Sequence, residues 1–187
     1  MSEFPSNEIE IIKLDLKNSY LTIKFDCGIN DLNDFIVNDA LPQQSEAINV
    51  TFLWFSKINR DLLGYITLCA DSIHLFGEKK EELKKIGIYY KALPAIKICR
   101  MAVSLQFSNK GIGSKMIAFA ASKAFEINKS AGCRFLTLEA KNEKNLPENK
   151  KPIHFYRKHD FYFTKERKVN SSYFPMYKDL LHALKEF

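Results

Sequence analysis

A short segment that contains two glycines carries the clearest chemical signal in this sequence. It reads Phe-Ser-Asn-Lys-Gly-Ile-Gly-Ser over residues 107–114, between a strand-like pattern and an apolar stretch with helical spacing. Glycines at the start of a helix leave the backbone N–H groups unobstructed, so these groups can converge on an anion such as a pyrophosphate. The segment lacks the third glycine of a dinucleotide-binding fingerprint and the Gly-Lys-Ser/Thr ending of a P-loop. It therefore favours neither an NAD site nor an ordinary nucleoside triphosphatase.

The order of four motifs along the chain indicates what the glycine loop binds. Arg-Met-Ala-Val-Ser (100–104) ends a predicted strand, the Gly-x-Gly helix start follows, a strand ends in Glu-Ala-Lys-Asn (139–142), and Phe-Tyr-Arg-Lys-His-Asp-Phe (155–161) comes last. This order resembles the GNAT acetyltransferase family over residues 96–163. The loop resembles the family's motif A, Arg/Gln-x-x-Gly-x-Gly/Ala, and the last motif resembles its Phe-Tyr-x-x-x-Gly-Phe segment.

The chain departs from the family pattern at three places. Ser108 stands where the family usually has Gln or Arg, which removes a side-chain contribution but not the backbone cradle. Asp160 replaces the usual Gly before Phe161, and Asp can adopt the left-handed turn at some cost. The segment 143–152 is longer than usual, so the placement of Tyr156 depends on how it folds.

A second resemblance lies near the N-terminus. Phe-Asp-Cys-Gly (25–28), followed by Leu32, Phe35 and a Gln pair at 43 and 44, is similar to the opening of the GNAT branch that includes toxins of toxin–antitoxin modules. In those toxins the acceptor is the amino group of an aminoacyl-tRNA. The resemblance therefore makes an aminoacyl-tRNA a candidate acceptor and an antitoxin a candidate partner.

The family resemblance implies that an amine attacks the acetyl-CoA thioester directly in a ternary complex. It assigns Tyr156 as the general acid that protonates the departing sulfur; the alternative is that Tyr156 packs in an aromatic core. Asn142 either hydrogen-bonds the pantetheine arm or merely ends a strand. The residues expected to contact CoA are Met101, Ala102, Val103, Ser108, Asn109, Lys110, Gly111, Ile112, Gly113, Ser114, Asn142 and Tyr156.

A general base cannot be chosen from the sequence. Glu139 could act through water, whereas His154 and His159 could equally be solvated helix residues. An α-amine with a pKa near 8 is largely neutral at physiological pH, so such an acceptor needs no strong base. We therefore name none of the three as catalytic.

The coarse pattern of apolar residues predicts one α/β (α+β) domain over 1–187. A first strand lies within 8–25, a helix starts with Asn30 as its cap and ends before Pro42, and 49–56 pairs with 62–70 as a hairpin. The charged run 79–85 is read as an exposed, helical excursion, and it is either a solvated surface segment or a part of the chain that binds the acceptor. Together with strands at 95–104, 134–140, 161–163 and 173–177, and helices at 114–128 and 153–158, this fits a GNAT fold. That fold has a central mixed, mostly antiparallel six- to seven-stranded sheet flanked by helices, with a splayed strand pair that binds CoA.

Charge and composition narrow the classes of partner and compartment. The net charge is +6, and residues 141–187 hold 11 Lys or Arg against 6 Asp or Glu, which suits an anionic ligand such as CoA or a nucleic acid. Four widely spaced cysteines favour neither a zinc site nor a disulfide framework. No basic leader or membrane-length apolar stretch is present, so we expect a cytoplasmic protein without a membrane span or a metal.

Two alternatives to a toxin enzyme stay open at this point. One is a GNAT acetyltransferase that acts on a protein amine or a small molecule, and the other is a GNAT-like module that binds CoA without turnover. The oligomeric state is not fixed, with a homodimer as one option.

Overall fold

The computed structural model describes residues 3–143, 147, 151–164 and 171–185. The chain divides into two compact units, the first made of Met1–Cys69 with Ile98–Phe119 and the second of Ala70–Lys97 with Ala120–Phe187. The assignment of a single domain over 1–187 stays a prediction. The predicted insertion at 143–152 lies mostly outside the described residues.

A seven-stranded sheet organises the chain. Its strands, in chain order, are β1 Ile9–Lys13, β2 Val50–Ser56, β3 Leu62–Ile73, β4 Leu93–Val103, β5 Phe135–Lys141, β6 Tyr162–Phe163 and β7 Tyr173–Asp179. Their order in the sheet is β1-β2-β3-β4-β5-β7-β6. The pairs β1–β2, β2–β3, β5–β7 and β6–β7 are antiparallel. The predicted mixed, mostly antiparallel sheet is confirmed.

Helices connect these strands. They are α1 Asn30–Asp34, a π-helix Phe35–Asp39, α2 Ala40–Ser45, α3 Gly77–Lys85, α4 Ile112–Asn128, α5 Pro152–Arg157 and α6 Leu181–Lys185, with short 3-10 turns at Ser6–Glu8, Ser19–Thr22 and Leu105–Phe107. In the part of the chain that the structure describes, no helix is long and apolar enough to cross a membrane.

The first strand is shorter than the apolar pattern suggested. Residues 9–13 form β1, but the alternating stretch that begins at Tyr20 starts with a 3-10 turn instead of a strand. The side chains of Thr22 and Phe25, three residues apart, are buried, whereas Ile23 is 68% exposed. The Phe25 N–H donates a hydrogen bond to the Thr22 carbonyl oxygen over 2.9 Å, so the chain keeps turning beyond the 3-10 segment. Residues three apart in such a turn share one face, which buries Thr22 and Phe25 without a strand.

The helical segment after Gly28 also differs from the expectation. It continues through Pro42 to Ser45, and its N-cap is Ile29, not Asn30. The π-helix at 35–39 interrupts the α-helical bonding, so Pro42 falls in the first turn of α2. A residue there needs no intrahelical acceptor for its N–H, and a proline is tolerated.

The core of the first unit has side chains on both faces of the sheet. On one face Phe25 and Phe35 pack against the Tyr65 ring, and the Tyr65 hydroxyl donates a hydrogen bond to the Leu32 carbonyl over 2.8 Å. On the other face Phe119 of α4 makes edge contacts with Phe52 and Trp54 of β2. Side chains alternate along a strand, so β2 is covered on both sides.

Gly64 of β3 lets two backbones and a helix meet closely. A Cβ at this position would collide with the Ala102 carbonyl oxygen of β4 and would lie 2.8 Å from the Met116 Cε of α4. We expect Gly64→Ala to lower the free energy of unfolding by about 2–3 kcal/mol, because the Ala102 carbonyl oxygen and the nearby Val103 Cα belong to the backbone and can withdraw only if β4 moves, although the Met116 side chain can adjust. Urea denaturation measures this directly.

Gly132→Ala is the matched control for that measurement. The atom nearest to its added Cβ would be the Pro94 Cγ at 3.8 Å, which is ordinary contact. Its unfolding free energy should stay within about 0.5 kcal/mol of the parent value. Equal stability of the two variants would show that β4 can shift away from Gly64 at little cost.

Candidate active site

The glycine loop forms a turn whose backbone can hold an anion. After the 3-10 turn at 105–107 the chain places Asn109 at φ 59° and Gly111 at φ 76°, and α4 begins at Ile112, two residues before the predicted start. Asn and Gly are the residues that adopt this left-handed conformation most readily. Alternation of left- and right-handed residues turns successive N–H groups toward one point, at the N-terminus of a 17-residue helix.

The N-terminal segment of the chain lies on this loop. The Phe4 N–H donates a hydrogen bond to the Lys110 carbonyl oxygen over 2.9 Å, and the Phe4 ring meets the Phe107 ring edge-on. The Glu3 carboxylate lies 3.6 Å from the Lys115 ammonium and beside Gly111. An acidic group thus already occupies the cationic side of the loop, as expected of a place that suits a phosphate.

The basic side chains beside the loop keep their cationic ends close to it. The Lys110 ammonium lies 5.0 Å from the centre of the Phe107 ring, a cation–π distance, and Lys115 is half-buried. Ser108 and Asn109 are exposed, while Gly113 and Ser114 are half-buried at the first turn of α4. The residues present therefore fit the pyrophosphate of CoA.

The end of β4 leads directly into the loop. Met101 and Val103 are half-buried, and Ala102 is buried beneath Gly64. The following Ser104 N–H donates to the Leu63 carbonyl oxygen over 2.9 Å, which holds this end of β4 against β3. The splay of β4 and its backbone contacts with pantetheine stay predictions.

The Phe-Asp-Cys-Gly motif at 25–28 forms a hydrogen-bonded turn that contacts the chain just before the same loop. The Asp26 carboxylate accepts hydrogen bonds from the Gly28 N–H at 2.7 Å and from the Asn33 amide at 2.9 Å, and these bonds lower its pKa. The Asp26 carbonyl oxygen accepts a hydrogen bond from the Leu105 N–H at 3.0 Å. The motif therefore fixes the chain just before the glycine loop.

A cavity of about 490 Å³ opens between this motif and the loop. It is lined by Leu21, Lys24, Phe25, Asp26, Arg60, Asp61, Leu62, Ser104, Leu105, Gln106 and Phe107. Its walls come from three segments that are distant in sequence. Because these segments are distant in sequence, no local sequence pattern predicts the cavity.

Tyr156 lies in α5, in the second unit, and is held by aromatic contacts. Its ring packs edge-on against Phe155 and Phe161, with centroids 5.3 and 5.7 Å away. Burial raises the pKa of its hydroxyl to about 12. Within the described ranges no side chain hydrogen-bonds this hydroxyl. Both readings of the sequence therefore have support: the ring packs in an aromatic cluster, and the hydroxyl keeps a proton to give.

The turn after α5 adopts the conformation that the family pattern requires. Asp160 has φ 60°, the left-handed value expected where the family has glycine. The Phe161 and His159 N–H groups both donate to the Tyr156 carbonyl oxygen, at 3.1 and 3.0 Å, and Phe161 is buried. This closure of the helix end fixes the backbone of Tyr156.

Asn142 follows β5 and is held by the chain itself. Its side-chain amide donates to the Ser171 carbonyl oxygen over 3.0 Å, and its backbone N–H donates to the Ser172 carbonyl oxygen over 2.8 Å. These bonds support the interpretation that Asn142 ends a strand. A contact of the Asn142 side chain with pantetheine stays a prediction.

The three candidate bases have different surroundings. The exposed Glu139 carboxylate lies 3.6 Å from the Lys97 ammonium. Burial, with the nearby Lys178 ammonium, lowers the pKa of His159, whose ring packs on Phe155. His154 is half-buried. None of them is assigned as a base here, and no cluster of three metal-ligating side chains occurs among the described residues.

Comparison with known proteins places these features in a family. The sequence model of a family described as the acetyltransferase (GNAT) domain matches residues 53–162, more than half of the chain. A search of curated proteins found no match. The loop, the strand before it and the sheet together define an acyltransferase fold of this kind. The chain belongs to the GNAT acetyltransferase family, which confirms the predicted family, fold and enzyme class.

Solved structures with the same fold include AtaT, which is described as a toxin. A tyrosine-to-phenylalanine mutant of KacT matches with a TM-score of 0.77 and 24% identity over 96% of this chain and 99% of that one. AtaT complexed with acetyl-methionyl-tRNAfMet matches with a TM-score of 0.78 and 24% identity over the same shares. AtaTR bound with AcCoA matches with a TM-score of 0.73, at 22% identity over 96% and 98%. Because the sequence identities are this low, these structural matches establish the shared fold alone.

Proposed function

We propose that this protein transfers the acetyl group of acetyl-CoA to the α-amino group of an aminoacyl-tRNA, and that it acts as the toxin of a toxin–antitoxin pair. The observation that carries the proposal is the glycine loop, with Asn109 and Gly111 left-handed at the start of α4. Membership of the GNAT family supplies the reaction class. The Phe-Asp-Cys-Gly motif and the shared fold with AtaT and KacT support the acceptor.

Binding of acetyl-CoA uses mainly the backbone. The N–H groups of 108–114 hold the pyrophosphate, with Lys110 and Lys115 supplying positive charge as the pyrophosphate displaces the Glu3 carboxylate. The backbone of Met101, Ala102 and Val103 aligns the pantetheine arm. An N–H group there stabilises the negative charge that develops on the thioester oxygen.

In the chemical step the neutral α-amine attacks the thioester carbon. A C–N bond forms, the C–S bond breaks, and the electron pair of the broken bond goes to sulfur. Tyr156 donates its hydroxyl proton to that sulfur, and water takes the proton that the amine loses and restores the tyrosine. A pKa of about 12 keeps the Tyr156 hydroxyl protonated at pH 7–10, the range in which an α-amine with a pKa near 8 becomes neutral.

The expected partners agree with the charge of the chain. A net charge of +6 favours a polyanionic acceptor, whose binding should weaken steeply with salt. Charged tRNA and acetyl-CoA are present together in the cytoplasm, which is the compartment that we propose. Structures of AtaT with the C-terminus of the antitoxin AtaR, and of a KacTA–DNA complex, make an antitoxin the expected protein partner here.

Acetyl transfer from labelled acetyl-CoA tests the proposal. The protein is incubated with a mixture of aminoacyl-tRNAs, with the same tRNAs after deacylation, and with a panel of peptides and small amines. We expect label on charged tRNA alone, recovered as N-acetyl-aminoacyl-nucleotide after nuclease digestion. Label on a peptide or a small amine, with none on charged tRNA, would establish the general acetyltransferase and overturn the tRNA acceptor.

A further inference from the structure

The segment that joins α3 to β4 presents basic and aromatic side chains to solvent. Tyr89 and Tyr90 are 74% and 78% exposed, and Lys80, Lys85 and Lys91 around them are also exposed. We call these five residues the tyrosine–lysine platform. Four of them line one shallow hollow at the surface of the second unit, the exception being Lys85. The glycine loop does not contribute to this surface.

Backbone hydrogen bonds close the turn beneath the platform. α3 ends in a closed C-terminal turn in which the Ile88 N–H donates to the Leu83 carbonyl oxygen and the Gly87 N–H donates to the Lys84 carbonyl oxygen, both over 3.0 Å. Gly87 has the φ of 81° that this turn needs. Leu83 is buried, and Ile88 packs against the same apolar cluster. The two tyrosines that follow are therefore held outward by a fixed turn.

Other lysines pair with two of the glutamates of α3, so the platform carries more lysine than acidic side chains. Lys79 pairs with Glu82 and Asp179, each at 3.1 Å, and Lys84 pairs with Glu81 at 2.8 Å. These pairs neutralise two of the three glutamates of the helix. The third, Glu78, lies in the first turn, where the helix dipole favours an acid.

In the described part of the chain, the platform lysines form no ion pair within 4 Å. The Glu81 carboxylate is hydrogen-bonded to Lys84, which lowers its pKa, and Lys80 and Lys85 lie close enough to help lower it. Lys80, Lys85 and Lys91 thus present three ammonium groups beside two exposed phenol rings. Exposed rings among an excess of cations suit a ligand that offers both flat faces and anions. Single-stranded nucleic acid has that chemistry, because its bases stack on aromatic rings and its phosphates attract lysines.

We propose that the tyrosine–lysine platform is a docking site for the single-stranded acceptor end of the tRNA. Tyr89 and Tyr90 stack on unpaired bases, and Lys80, Lys85 and Lys91 contact phosphates. The proposal rests on the proposed function, since it assigns a surface to the same acceptor. It adds a binding contribution that neither the glycine loop nor Tyr156 provides.

Two sets of variants test the platform. Tyr89→Ala with Tyr90→Ala removes stacking, and the substitution of Lys80, Lys85 and Lys91 by Gln removes charge. We expect KM for aminoacyl-tRNA to rise at least about 10-fold in each set, because base–aromatic stacking contributes about 1–3 kcal/mol per base. In the lysine set, the slope of a plot of log Kd for tRNA against log salt concentration should fall by about 2–3, because three phosphate contacts are lost. The Kd for acetyl-CoA and kcat at saturating tRNA should stay unchanged.

Matched controls remove similar groups elsewhere. Tyr20→Ala removes another exposed ring, and Lys13, Lys17 and Lys129, all exposed, are replaced together by Gln. These controls should keep the parent KM and lose less of the salt dependence. Equal effects of the control and platform lysine sets would mean that only net charge matters, which overturns the platform.

The remaining outcomes separate the platform from the proposed function. If the parent protein acetylates charged tRNA and the platform variants do so with unchanged KM, the platform is wrong and the function stands. If the parent neither binds nor acetylates charged tRNA, both proposals fall. If the platform variants change oligomeric state or lose affinity only for an antitoxin, the surface binds protein, and the RNA assignment is overturned.

Discussion

Replacing Tyr156 by phenylalanine is expected to lower kcat for acetyl transfer by about 10²- to 10⁴-fold, the range that a positioned proton donor contributes. The ring packs between Phe155 and Phe161, and phenylalanine preserves both contacts. The hydroxyl has no hydrogen-bond partner among the described side chains, so its removal leaves no buried group unpaired. Stability should therefore change by less than about 1 kcal/mol, and the Kd for acetyl-CoA should stay within about twofold.

The pH profile of the parent enzyme adds an independent readout of the same role. Since burial raises the pKa of Tyr156 to about 12, the hydroxyl is protonated throughout the usual assay range. The rate should rise as the α-amine deprotonates near pH 8 and then reach a plateau, with no decline that the tyrosine causes before about pH 11. A decline near pH 10 would indicate a tyrosine with an ordinary pKa as the proton donor.

Tyr162→Phe is the control for the first measurement. Tyr162 lies in β6, is 62% exposed and belongs to the same unit as Tyr156. Its replacement should leave kcat unchanged. If Tyr156→Phe keeps full activity, the assignment of Tyr156 as the acid is wrong, and the thiolate leaves with a proton from water.

The sheet and most helix positions could be predicted because they depend on local pattern. The apolar runs of β2, β4 and β5 differ from the predicted strands by only a few residues at their ends. The wrong interpretations have local causes too. The stretch from Tyr20 alternates like a strand, yet the three-residue spacing of Thr22 and Phe25 suits a 3-10 turn equally well. Pro42 predicts a helix end, and this is wrong because the π-helix before it leaves no sequence signal.

The candidate site was predictable only in the parts that a single segment encodes. Gly111 with Asn109 and the closing turn at Asp160 have the left-handed backbone that their residue types permit. The contacts of Glu3 and Phe4 with the glycine loop join residues more than 100 positions apart, and periodicity says nothing about such pairs. The pKa of Tyr156 likewise depends on burial, which the motif alone does not reveal.

The second large effect is expected at the glycine loop itself. Gly111→Ala places a side chain at φ 76°, where the left-handed conformation costs an L residue about 1–2 kcal/mol. The added Cβ would lie 3.2 Å from the Glu3 Cδ, which belongs to an exposed side chain that can move away. The loop therefore relaxes by turning N–H groups away from the anion site. Each such bond to a charged group contributes about 1.5–3 kcal/mol, so the Kd for acetyl-CoA should rise at least about 10-fold.

Gly77→Ala separates loss of the anion site from simple backbone strain. Gly77 has φ 62°, and a Cβ there would meet nothing within 4 Å, so the strain is similar while the glycine loop is untouched. Both variants should lose comparable unfolding free energy in urea, and calorimetric titration with acetyl-CoA should detect weaker binding only in Gly111→Ala. If both variants bind acetyl-CoA equally tightly, the glycine loop does not hold the pyrophosphate. The proposed function would then lose the observation that carries it. Binding that weakens equally in both would assign the effect to general strain, because Gly77 lies in α3, outside the loop.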